Sequence, residues 1–108
     1  MNDNESIIVQ RYLNNPMIID EKKFDLRIYL VLTGMFPMKA YLFEEGLVRF
    51  CTQNYEEPNA GNMYNNYIHL TNSAINKHSK DYKVDSENCY SEEDTSTNRF
   101  LSTVYKKL

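Results

Sequence analysis

What this 108-residue chain lacks narrows its function before any motif is read. Its longest strongly apolar stretch, Ile28 to Gly34, falls far short of the ~20 residues needed to span a bilayer as a helix. With three glycines in all, no glycine-rich phosphate loop of the Walker or Rossmann type can be assembled. Two cysteines, Cys51 and Cys89, make neither a disulfide framework nor a metal-spaced set, and free thiols in a cytoplasmic chain are expected. His69 and His78 stand nine positions apart with no cysteine at ligand spacing, so no zinc site is expected, and neither lies beside a nucleophile elbow. Positive charge is also scarce. Twelve basic residues against fifteen acidic ones give a net charge of −3, which argues against a nucleic-acid module acting through bulk charge. The polar, acidic opening from Met1 to Ser6 has no signal-peptide character, so neither a cleaved signal nor a membrane partner is expected.

What is present is an ordinary globular composition, 42% hydrophobic and 25% charged, with enough chain for one modest core. Residues 7–72 carry most of the sharp periodicity. Ile7 to Leu13 reads as a short buried strand, broken by Asn14-Asn15-Pro16. A long strand is predicted from Lys23 to Thr33, with Phe24, Leu26, Ile28, Leu30 and Leu32 at every second position. Met38 to Phe43 and Leu47 to Thr52 read as a hairpin turning at Glu44-Glu45-Gly46, with the glycine at positive φ. Tyr55 to Asn66 reads as a surface loop and Tyr67 to Leu70 as one more short strand. Residues 81–94 form an acidic loop. Thr95 to Asn98 then offers N-caps for a helix over 98–108, where Phe100, Leu101, Val104, Tyr105 and Leu108 share a face. The sequence stops inside that helix without a capping glycine, which reads as a cut chain.

The long strand carries the most chemistry. Side chains at i, i+2 and i+4 point the same way, so Lys23, Asp25 and Arg27 share the face opposite the apolar set. Two cations flanking a carboxylate can hold phosphate oxygens and a hydroxyl together, with the arginine bonding in a fork. A solvated ladder of charges is the bland alternative for the same three residues. Arg49, among Leu47, Val48, Phe50 and Cys51, either snorkels to water or meets an anion. The polar run His69-Leu70-Thr71-Asn72 suits a ligand-binding strand end or a turn equally well.

Taken together, Gln10-Arg11-Tyr12-Leu13, Lys23-Phe24-Asp25-Leu26-Arg27, Glu45-Gly46-Leu47-Val48-Arg49-Phe50, His69-Leu70-Thr71-Asn72 and Ile75-Asn76-Lys77 resemble, in order and spacing, the tubulin–tyrosine ligase-like family. Ala74 to Ser79 and Leu101-Ser102-Thr103 are similar to its polyglutamylase branch. The resemblance covers about residues 7–80 and implies an α/β (α+β) fold. It would be a partial ATP-grasp domain over 1–108, mainly antiparallel sheet with a C-terminal helix. It implies an ATP-dependent protein–amino-acid ligase with partners tubulin or microtubules and a free amino acid, glutamate. ATP activates an acceptor carboxylate as an acyl phosphate, which the incoming amine attacks. The implied location is cytoplasm and cytoskeleton, including cilium or basal body.

Position by position, the resemblance makes Gln10, Arg11, Tyr12 and Leu13 the hinge against adenine, and Lys23 and Asp25 nucleotide contacts. Arg27 and Arg49 become the catalytic cations at the terminal phosphate and acyl phosphate, while His69, Leu70, Thr71 and Asn72 line the nucleotide. The family's upstream lysines and its downstream acidic Mg2+ ligands have no counterpart here, so magnesium ligands are expected outside this chain and catalysis is not expected from it alone. Glu57-Pro58-Asn59 imitates the metal motif in the wrong place, and Glu21 and Ser73 depart from the family's glycine and aromatic. The alternative is a non-catalytic module that keeps the sheet and a nucleotide or partner surface.

Overall fold

A computed structural model describes residues 6–84 and 94–108. Among the described residues, nine short elements make a mixed α/β fold dominated by antiparallel sheet. In chain order they are β1 (Ile18–Ile19), β2 (Lys22–Arg27), β3 (Leu30–Met35), β4 (Met38–Leu42), β5 (Leu47–Phe50), α1 (Asn66–His69), α2 (Ser73–Asn76), β6 (Asn98–Phe100) and α3 (Leu101–Tyr105). One sheet has the order β1-β2-β5-β6, and β3 and β4 form a separate ribbon.

The predicted strand over 23–33 is broken at Ile28-Tyr29, and β2 and β3 enter different sheets. Both halves nevertheless pair with the returning chain. Leu30 faces Leu42 and Leu32 faces Ala40, while Arg27 faces Leu47 and Asp25 faces Arg49. The chain therefore reverses at Phe36-Pro37, and Glu44-Glu45-Gly46 is an interruption of the returning arm instead of the predicted hairpin turn. No described glycine has positive φ. Gly46 is needed for close approach, since a Cβ there would lie 2.8 Å from the Arg27 carbonyl oxygen.

Alternation along β2 and β5 builds the core. Phe24, Val48 and Phe50 lie on one face of the sheet, and Ile19 and Val104 close over it with Phe24 and Leu101 packed alongside. Val48 and Phe50 are almost wholly removed from water, each worth ~1.5–3 kcal/mol of burial. Arg99 of β6 lies on this same face opposite Val48, with its guanidinium 4.1 Å from the Phe50 ring centre. It donates to the Ser96 carbonyl and pairs with Asp20. That bond holds the Asp20 carboxyl below its ordinary pKa.

Three further expectations are corrected. Ile7 to Leu13 forms no strand and is exposed, with Val9 92% accessible, because no described strand pairs with it. Tyr67 to Leu70 lies in a helical turn, α1, where the Asn65 side chain accepts from the Tyr67 amide and caps it. Over 98–108 the chain first adds β6 to the sheet, and α3 starts only after Phe100. The candidates Thr95 to Asn98 do not cap α3. Glu45 reaches across, its carboxylate accepting from the Ser102 amide at 3.1 Å and hydroxyl at 2.6 Å. Of the acidic loop over 81–94, residues 85–93 lie outside the described residues.

The two-residue turn Asp20-Glu21 joins β1 to β2 with both residues left-handed, at φ 50° and 61°. Asp tolerates that region; Glu does not. Glu21→Gly should therefore raise stability by ~0.5–1 kcal/mol, less than the full strain because the Glu21–Asn54 hydrogen bond is lost. The measurement is the urea midpoint, and an unchanged or lower midpoint would contradict the strain.

Candidate functional site

The odd-numbered face of β2 projects Lys23, Asp25 and Arg27 away from the core, as alternation predicts. The register puts Arg49 of β5 directly opposite Asp25. Arg49 meets its anion there, donating through Nε to Asp25 Oδ1 at 2.9 Å and through Nη2 to Oδ2. The carboxylate raises the guanidinium's already high pKa and fixes its plane. Both Asp25 oxygens are engaged, so Asp25 orients Arg49 before it could bind anything else. Asn98 lies opposite Arg49 on its other side, and Arg27 rests over the Tyr29 ring at 5.6 Å.

Lys23 ties two further segments to the sheet. Its ammonium donates to the Tyr12 hydroxyl at 3.1 Å and to the His69 carbonyl at 2.9 Å, and lies 4.3 Å from the Tyr12 ring centre. The Tyr12 hydroxyl is also 3.1 Å from His69 Nδ1. On the other side of the ring, His69 Nε2 lies 3.4 Å from Asn62 Oδ1. His69 is buried, with Tyr12 and Tyr55 edge-on to its ring. Burial pushes both phenols above their ordinary pKa. A cleft of about 310 Å³ opens beside them, lined by Tyr12, Pro58, Met63, His69 and Leu70.

Of the hinge residues, Tyr12 is the one that reaches the cluster; Gln10, Arg11 and Leu13 are exposed. Leu70 closes α1, Thr71 is half-buried, and Asn72 precedes α2 as its N-cap without a side-chain capping bond. Cys51, at the end of β5, is buried, and desolvation pushes its thiol up to about 11, so it is neutral near pH 7. Among the described residues no group of three His, Cys, Asp or Glu side chains could hold a metal.

Asn76, of the Ile75-Asn76-Lys77 motif, is a structural clamp. It is fully buried. Its Oδ1 accepts from the Thr52 amide and hydroxyl, both at 3.0 Å, and its Nδ2 donates to the carbonyls of Leu70 at 2.7 Å and Asn72 at 3.1 Å. One side chain thus clamps residues 70–72 to the end of the sheet. A lone asparagine in a polar stretch carries no sequence signal for this, because three of its four partners are backbone atoms and the fourth is the Thr52 hydroxyl, 24 residues away.

The tubulin-tyrosine ligase family model matches residues 1–107. The chain belongs to that family. It is 46% identical over 104 residues to tubulin polyglutamylase ttll6 of Danio rerio, covering 96% of the chain but 12% of the relative. It is 50% identical over 78 residues to tubulin polyglutamylase TTLL5 of Homo sapiens, covering 72% of the chain and 6% of the relative. A probable beta-tubulin polyglutamylase of Tetrahymena thermophila is 45% identical over 87 residues, or 81% of the chain and 7% of the relative. The chain therefore spans about an eighth or less of these relatives.

Asn76→Ala should destabilise this family member by about 3 kcal/mol, since it leaves buried backbone groups without partners. Thermal or urea unfolding checks this, and a loss under ~1 kcal/mol would mean the clamp is dispensable.

Proposed function

We propose that the chain is part of an ATP-dependent ligase that joins glutamate to carboxylates on tubulin. Its similarity to polyglutamylases supports the substrate class. The observation that carries the reading is the single sheet face on which Lys23, Arg27 and Arg49 stand with one carboxylate, Asp25, between them. Three cations against one anion leave a net charge of +2 there, in a chain whose total is −3.

Each residue then has a task. The ammonium of Lys23, steadied by Tyr12 and His69, faces phosphate oxygens as a fixed point charge. Arg49, with two N–H groups held by Asp25, presents its remaining donors to an anion without reorganising, and Arg27 flanks it. The cleft lined by Tyr12, Pro58, Met63, His69 and Leu70 takes an aromatic base, and Gln10, Arg11, Leu13, Thr71 and Asn72 are chain neighbours of its walls. ATP, when bound, supplies the phosphoryl group that activates the acceptor carboxylate. The residues fit the nucleotide's anionic part, whereas Mg2+ would be held by groups other than these. The reading places the protein with microtubules in the cytoplasm, including cilia or basal bodies. A partner-binding module without catalysis is the rival class.

The test is ATP- and Mg2+-dependent incorporation of labelled glutamate into tubulin by the full-length protein that carries these residues. Arg49→Ala and Lys23→Ala should each lower the rate ~10²-fold or more, the usual cost of removing a preorganised charge. Nucleotide binding without incorporation would favour the rival, and incorporation unaffected by either substitution would overturn the site.

A further inference from the structure

The opposite face of the same sheet holds a second concentration of positive charge. A cavity of about 560 Å³ opens there, and its wall includes Lys22, Lys83, Arg99 and Lys107 against Asp20 and Asp81. Lys22 precedes Lys23 on β2 and so points the other way, toward the side that carries Phe50 and Arg99. Among the described residues the wall carries four cations and two carboxylates, a balance of +2, again in a chain of net −3.

The charges are not used equally. Asp20 is committed to Arg99, with the Lys107 ammonium 3.7 Å away. Lys22 and Lys83 instead bond to neutral oxygens, Asn54 Oδ1 at 2.8 Å and Thr95 Oγ1 at 3.3 Å. Glu21 is linked to Lys22 through Asn54, whose side-chain amide donates to the Glu21 carboxylate while its oxygen accepts from Lys22. Two ammonium groups with neutral partners therefore line a space of small-molecule size.

The wall also restricts what could enter. Arg99 covers the Phe50 ring, so the aromatic at the cavity is not open for stacking a base. Arg99's Nε and Nη1 are engaged by the Ser96 carbonyl and Asp20 and its side chain is only 3% exposed, unlike that of Arg49, leaving recognition to the lysines as point charges. Lysine ammonium groups take phosphate and carboxylate oxygens alike, and two of them favour a ligand with at least two negative charges.

We propose that this cavity is an anion-binding site, separate from the Lys23–Arg49 face, for a compact non-aromatic polyanion built of phosphate or carboxylate groups. The probes are pyrophosphate and a triglutamate peptide, each titrated calorimetrically into the full chain at low ionic strength. At least one should bind, and the responding probe identifies the oxyanion. Lys22→Ala combined with Lys83→Ala should weaken that binding tenfold or more. Lys23→Ala, which removes a cation of the nucleotide face, should leave a component of binding that still depends on Lys22 and Lys83, and that component separates the two sites. Raising salt from about 50 to about 200 mM should weaken it several-fold, as expected for exposed charges. Absence of binding by both probes, or equal binding by the Lys22/Lys83 double variant, would overturn the proposal, as would loss confined to Lys23→Ala.

Discussion

The antiparallel pairing of β2 with β5 is the constraint on which the rest of the molecule depends. It sets Asp25 opposite Arg49 on one face and Phe24 opposite Phe50 on the other. Because side chains alternate, a shift of one residue in this register would exchange the two faces, driving charges into the core and phenylalanines into water. The core of Ile19, Val48, Phe50 and Val104 and the Lys23–Asp25–Arg49 row are thus two consequences of the same backbone alignment. Gly46 permits the strands to approach at the mouth of the pairing, where any larger residue would press on the Arg27 carbonyl.

Segments distant in sequence are then fastened to this sheet by polar side chains at its edges. Lys23 gathers Tyr12 and the His69 carbonyl, Asn76 holds Leu70 and Asn72 to Thr52, and Glu45 stitches the start of α3 to the returning strand. None of these contacts is apolar. In a chain whose described core is small, hydrogen-bonded clamps do much of the positioning that side-chain packing does in larger domains, and they do it with directional geometry. Such geometry would serve the proposed site, where phosphate and carboxylate oxygens have to be held in register.

The arrangement of the candidate site along β2 was legible in the sequence because it rests on period-two alternation. Lys23, Asp25 and Arg27 fall on one face by counting alone, and the motif order joined Arg49 and residues 69–72 to them. The long strand broke at Ile28-Tyr29 because alternation reports which face a residue takes, not where the sheet ends. Likewise, Glu44-Glu45-Gly46 has turn chemistry, yet the reversal sits at Phe36-Pro37. Apolar residues on both faces of the β3–β4 ribbon, such as Leu30 and Val31, are exposed in the described structure, so hydrophobicity there did not forecast burial. Asn76, Asn98 and the cations of the second face were not legible. Their partners are backbone atoms or residues brought close only by strand order.

A double-mutant cycle on Asp25 and Arg49 tests the central register most directly. Asp25→Ala, Arg49→Ala and the double substitution would be compared by urea unfolding in the same chain. Both side chains are partly exposed, so solvent screens the pair. The account predicts a coupling of about 1 kcal/mol between the two substitutions. Strict additivity within error would mean that the two residues do not face one another, and would contradict the β2–β5 alignment on which both faces rest.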